Sequence, residues 1–234
     1  MNHRDLALVQ GLDHTRATLR RWNAAPVRVV GLWALGALLV GCALLYVVWA
    51  ISHRVTPNTG RVLLPGLNRP ADAAAVGHVI FRNALVLALH AMACVAGYIA
   101  GSQLPKEAER RRGLSRWVHA HAGPAAVAFV AGATLFSLVT QAYVLGSGAS
   151  TLADHLGIGQ ATLILTLLPH ALPELTALFL PLAAWLVASR RRRFDELLAA
   201  TIATTALAAP VLVLAAALEI YVWPHLLRAV SPVV

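Results

Sequence analysis

The chain has 234 residues, 59% hydrophobic and 12% charged, with a mean hydropathy of +0.69. A soluble domain carries roughly twice that charge density, so a water-soluble globular protein is excluded and an integral membrane protein is expected. The net charge of +9 does not signal nucleic-acid binding. No zinc-finger spacing or aromatic-interleaved basic motif accompanies it, and basic residues at membrane edges are attracted by anionic headgroups.

Residues 1–26 come first. Residues 5–22 predict an amphipathic helix, with Leu6, Val9, Leu12 and Leu19 on one broad apolar face and Arg16, Arg20 and Arg21 elsewhere. Such a helix suits the cytoplasmic membrane interface, and a soluble docking helix is the alternative for the same residues. Pro26 suits the start of the first span. Residues 27–234 then read as a five-span membrane domain, with spans at about 29–51, 81–103, 124–146, 159–187 and 197–223. Each is long enough to cross a hydrocarbon core of ~30 Å. Helices are expected because every backbone polar group must be satisfied within the segment, and the alternation of a membrane β-barrel is absent. The expected fold class is therefore all-α: a polytopic membrane protein with five transmembrane helices and an N-terminal amphipathic interfacial helix.

Among the connections, residues 52–78 read as turns followed by a short surface helix with Asp72 in its first turn. Residues 103–121 form a basic inner loop, and residues 147–158 a short external turn. The stretch "SRRRRFDELL" is a tight inner turn. With the N-terminus inside, cytoplasmic segments hold 14 of the 19 Lys and Arg residues and the opposite side keeps 5, namely Arg54, Arg61, Arg69, Arg82 and Arg228. That bias predicts a cytoplasmic N-terminus and an outside C-terminus. Cys42 and Cys94 fall inside predicted spans and read as small hydrophobes rather than a disulfide. The first apolar run starts late and lacks a small-residue cleavage site, so it reads as a retained anchor.

The stretch "LLPHALPELTALFLP" places ionisable groups and prolines together inside the fourth span. Of the ten acidic residues, only Glu174 and Glu219 fall inside predicted spans. An ionisable group at the centre of a lipid-embedded helix costs at least ~2.5–3.5 kcal/mol, so such groups face protein and have partners. His90, His170, Asn83, Gln141 and Tyr221 complete the expected intramembrane polar core. Pro169, Pro173 and Pro181 are expected to disturb the helix, because each removes a backbone donor. Broken helices at that depth are tolerated where protein encloses the backbone.

Three readings of this site stay open. His170 and Glu174, four apart and so on one face, satisfy each other or an opposing helix. Alternatively they ligate a divalent metal such as zinc with Glu219 or His90 as a third ligand, although no HExxH motif is present. Or they relay protons or contact a substrate along a pathway. His170, Glu174 and Glu219 are the catalytic candidates if the chain is an enzyme. Gly-rich phosphate loops are absent.

"LPHALPELTA" resembles the proline–histidine–x–x–x–glutamate–x–x–alanine signature of the stage II sporulation protein M (DUF95) family, with Pro169, His170, Glu174 and Ala177 at the matching positions. "FRNALVLAL" resembles its second-span segment, with Asn83 at the asparagine. "LEIYVWPHL" resembles its closing segment, with Glu219, Tyr221 and Pro224 in register. Two departures stand out. Gln141 and Ala142 replace the usual asparagine–glycine of the third span, and "LFLPLAAW" replaces a glycine-rich stretch.

The resemblance implies a bacterial cytoplasmic-membrane protein that works in protein complexes. The expected function is a non-catalytic scaffold or membrane subunit of a larger assembly. Two alternatives are a membrane-embedded metal-dependent enzyme acting on a peptide, as in circular bacteriocin maturation, and the permease part of an exporter with a separate ATPase. Expected partners are membrane lipids, other membrane or envelope proteins including an ATPase, and further copies of the chain.

Overall fold

The computed structural model describes residues 7–60, 62–105, 109 and 112–233. Asp5 and Leu6 of the expected first helix lie outside them, as do Arg61, Lys106, Arg110 and Arg111. The chain is built of helices: α1 (Ala7–Asn23), α2 (Pro26–Ser52), α3 (Ala73–Tyr98), α4 (Gly113–His155), α5 (Gln160–Arg190), α6 (Leu197–Ala217) and α7 (Trp223–Val230). Wide π-helical turns extend α3 through Ile99–Gln103 and join α6 to α7 through Leu218–Val222. Among the described residues the only β feature is an isolated bridge between Pro65 and Arg69.

Among the described residues, five helical segments are long and apolar enough to cross a membrane: Pro26–Ser52, Ala73–Gln103, Gly113–His155, Gln160–Arg190 and Phe194–Val230. The shortest has 27 residues and extends ~40 Å. Phe81, Leu89, Met92, Phe129, Phe136 and Leu214 are all exposed. Large apolar side chains turned outward are costly in water and at home in acyl chains. The chain is thus an all-α polytopic membrane protein.

Three local expectations are corrected. Residues 147–155 are not a turn but the last turns of α4. Thr151 Oγ1 donates to the Ser147 carbonyl (3.0 Å) and Ser147 Oγ to that of Tyr143 (2.7 Å), bonds made within a continuing helix. The helix stops at Gly157, which takes φ 62° while Ile158 N donates to Ala153 O and Gly157 N to Asp154 O, a Schellman closure. The expected surface helix after Asp72 is the start of α3, and Asp72 Oδ1 caps it by accepting from Ala75 N at 2.8 Å. Finally, α5 runs without a break from Gln160 to Arg190 through Pro169, Pro173 and Pro181. Pro169 and Pro173 are exposed while Pro181 is buried, and the helix continues past all three.

The contacts divide the chain into two units. The first comprises Met1–Ala37, Val86–Thr134 and Phe179–Ala208. Its core gathers Cys94, Tyr98, Trp185, Ala188 and Leu197. Cys94 Sγ donates to the Pro181 carbonyl at 3.2 Å, and Phe179, 2% exposed, packs its ring on His90 with centroids 5.5 Å apart. The stretch "LFLPLAAW", where the resemblance leads one to look for glycines, therefore packs with larger side chains. In the same unit α1 docks on the turn after α5: His14 Nε2 lies 2.8 Å from Asp195 Oδ2, and Arg21 Nη2 lies 2.5 Å from Glu196 Oε1. Thr15 and Thr18 are buried beneath it. That turn contains Arg192 at φ 55°.

The second unit comprises Leu38–Leu85, Leu135–Leu178 and Ala209–Val234. Its connection after α2 is ordered by its own bonds. Asn68 Oδ1 accepts from Leu64 N (2.7 Å) and Asn68 Nδ2 donates to Val62 O (2.7 Å). Gly66 N donates to Arg69 O at 2.8 Å, and the Arg228 guanidinium donates to Gly66 O. The tip of the loop is thereby held against α7.

Candidate functional site

The polar side chains of the second unit come from three helices and one π turn. Glu174 lies fourteen residues past the start of α5 at Gln160, ~21 Å along the helix axis. Its carboxylate interacts with Glu219 of the π turn, and with Asn83 and Arg82 of α3. Arg82 also acts on Glu219. Two carboxylates, one guanidinium and one amide thus share a site. Asn83 is 8% exposed and sits against Glu174, yet its Nδ2 lacks a hydrogen bond of normal geometry.

His170 takes a different partner. Its ring faces Trp223, with centroids 5.3 Å apart at 53°. Trp223 Nε1 donates to Thr166 Oγ1 at 3.2 Å, and Thr166 Oγ1 donates to Leu163 O at 2.7 Å. No hydrogen bond or ion pair joins His170 to Glu174; of the two expected arrangements, Glu174 takes the one facing an opposing helix, through Asn83 and Arg82. Positions i and i+4 are offset by about 40° around a helix of 3.6 residues per turn, enough to give the two side chains separate neighbours. Thr166 and His170 form a structural contact with Trp223, while Glu174 belongs to the α3 and π-turn cluster.

The remaining expected members disperse. His90 falls in the first unit, against Phe179. Gln141 Nε2 donates to Ser137 Oγ of its own helix at 2.9 Å. Tyr221 is 46% exposed and turns outward. Among the described residues, no group of three or more His, Cys, Asp or Glu side chains is arranged to hold a metal ion. His170, Glu174 and Glu219 therefore do not form the expected metal site, because His170 is turned to Trp223.

Sequence reasoning missed Arg82, Thr166 and Trp223. Arg82 was legible only as an edge charge, although it adjoins Asn83. Thr166, His170 and Glu174 recur every four residues along α5, a stripe that pointed to Thr166. Nothing in the sequence marks Trp223 as the partner of His170.

Two cavities border this cluster within the second unit. One of about 350 Å³ is walled by apolar side chains of α2, α4 and α5, with Glu174 as its charged residue. The other, of about 630 Å³, lies under the 63–70 loop and reaches Arg82 and Glu219.

A family model described as Stage II sporulation protein M matches residues 117–224. The match covers His170, Glu174, Glu219, Tyr221 and Pro224 and stops short of Asn83. No curated protein and no solved structure matches the chain.

Proposed function

From the match of residues 117–224 to the stage II sporulation protein M family model, we propose that the chain is a non-catalytic membrane subunit of a larger protein assembly in a bacterial cytoplasmic membrane. In this reading the amphipathic helix of residues 1–26 is cytoplasmic, residues 27–234 form the membrane domain, and the C-terminus lies outside. The basic-residue bias supports that orientation. The observation that carries the subunit role is α4. Only 6% of its most apolar window is buried within the chain, against 50% for α5. A span that packs so little against its own bundle leaves a long face for a neighbour. That face exposes Ala125, Ala128 and Gly132, and small residues let membrane helices approach closely. The outward turn of Tyr221 and the bonding of Gln141 within its own helix also speak for an internal packing cluster rather than a catalytic constellation.

The test is cross-linking through cysteines placed at Ala128 and Phe136 of the full chain in its native membrane, with Phe179→Cys as a buried control. A single membrane protein recovered from the α4 positions and absent from the control is the expected result. An ATPase recovered there makes the chain the permease of an exporter. Recovery of lipid adducts alone, with a monomer after mild solubilisation, refutes the subunit reading.

A further inference from the structure

The larger cavity has an uncommon wall for a membrane protein. Arg69, Asp72, His78, Arg82 and Glu219 line it together with apolar side chains such as Leu64 and Ile220. Among the described residues, the ion pairs join α1 to the turn after α5 and link Arg193 to Glu196; none of these five side chains takes part in one. Asp72 is engaged as the α3 cap, while Arg69, Arg82 and Glu219 line the cavity. Arg82 acts on Glu219 across the site without a direct ion pair, and a cavity bordered by both signs of charge near the bilayer edge suits a ligand that carries both.

Position and shape narrow the ligand. Arg82 stands beside Phe81, which is 62% exposed, where the apolar run of α3 begins. That is the depth of lipid headgroups and their linkage to the chains. The apolar cavity, walled by Leu44, Val48, Leu145, Leu167 and Trp223, adjoins the charged one: Leu64 borders both, and Glu174 on one wall interacts with Glu219 on the other. The charged cavity, at about 630 Å³, falls in the ~300–1,000 Å³ range of small-molecule sites. A molecule that fills both is an amphiphile, with a head bearing both charges and an apolar chain.

We propose that this end of the second unit binds one phospholipid of the adjoining leaflet, with a phosphoethanolamine-type headgroup. The phosphate faces Arg69 and Arg82, whose forked donors match phosphate oxygens. The ammonium faces Glu219. One acyl chain enters the apolar cavity past Leu64. The proposal stands apart from the subunit reading, since it needs only the membrane placement of the chain.

The experiment is native mass spectrometry of the purified full chain in detergent, titrated with dioleoylphosphatidylethanolamine, dioleoylphosphatidylglycerol or soluble O-phosphoethanolamine. One phosphatidylethanolamine per chain is expected, held roughly tenfold more tightly than phosphatidylglycerol and not displaced by O-phosphoethanolamine. Arg82→Gln removes a headgroup contact and Leu167→Trp fills the apolar cavity. Each is expected to weaken retention roughly tenfold, while Arg54→Gln, away from both cavities, leaves it unchanged. Circular dichroism and thermal unfolding identify any misfolded variant, and Arg69→Gln then stands in for Arg82→Gln. Equal binding of the two lipids, retention unaltered in Arg82→Gln and Leu167→Trp, or displacement by O-phosphoethanolamine would each overturn the proposal. The last would reassign the site to a soluble phosphomonoester.

Discussion

Replacing Gly66 by alanine tests how the loop roofs the charged cavity. Gly66 holds φ 78°, a conformation that costs a residue with a Cβ about 1–2 kcal/mol. The new Cβ would also stand 2.6 Å from Pro224 Cγ and 3.0 Å from Ile220 O. Neither neighbour is the end of a flexible chain: one is a ring in α7, the other backbone of the π turn. Relief requires the loop to lift, which strains the Gly66 N to Arg69 O bond and the Arg228 contact to Gly66 O. Together these give a loss of ~2–3 kcal/mol, or a fall of ~4–12 °C in Tm for a chain of this size. Gly77→Ala is the internal control. It lies in the second turn of α3 with nothing within 4 Å of an added Cβ, so it should gain ~0.5–1 kcal/mol from helix propensity. Tryptophan fluorescence during thermal unfolding in detergent reads both, because Trp223 sits beside Pro224. A Gly66→Ala chain as stable as the parent, or a Gly77→Ala chain less stable than Gly66→Ala, would refute the reasoning.

His170→Phe should keep the fold and lose no more than about 1 kcal/mol, because the ring packs on Trp223 and no ion pair with Glu174 is broken; a collapse in expression or in melting temperature would restore the pair that the sequence suggested. Arg192→Gly should raise stability by about 1 kcal/mol, since Arg192 closes the turn after α5 at φ 55°, and chemical unfolding that shows a loss instead would contradict the strain assigned to that residue.

The five apolar helices were legible because bilayer thickness imposes one length on every span, and hydropathy averages over helix rotation. The same averaging hides which face each residue presents. Tyr221 and Glu219 are two residues apart in one apolar segment, yet one turns outward and the other lines a cavity. His170 and Glu174 share a nominal face, and only the packing of α7 draws the histidine away. The prolines misled for a related reason. A proline removes a donor and crowds the carbonyl four residues back wherever it sits, but the helix can continue through it when its packing outweighs that cost, as α5 does. The end of the third span was misplaced because serines, glycines and an aspartate read as a turn, while the helix carries them to Gly157.

The π turn at Leu218–Val222 is the feature that pattern reading had least chance of finding, and it accounts for how the cluster is divided. On a regular helix, residues 219 and 223 lie nearly above one another. A wide turn, with i→i+5 bonding, rotates the residues after it relative to those before it. Glu219 can then face Arg82 and the charged cavity while Trp223 faces His170 and walls the apolar one. Without the extra residue, the carboxylate and the indole would compete for one direction. The local irregularity thus separates a charged compartment from an apolar one over a single turn, which is the division that a headgroup and an acyl chain would each require.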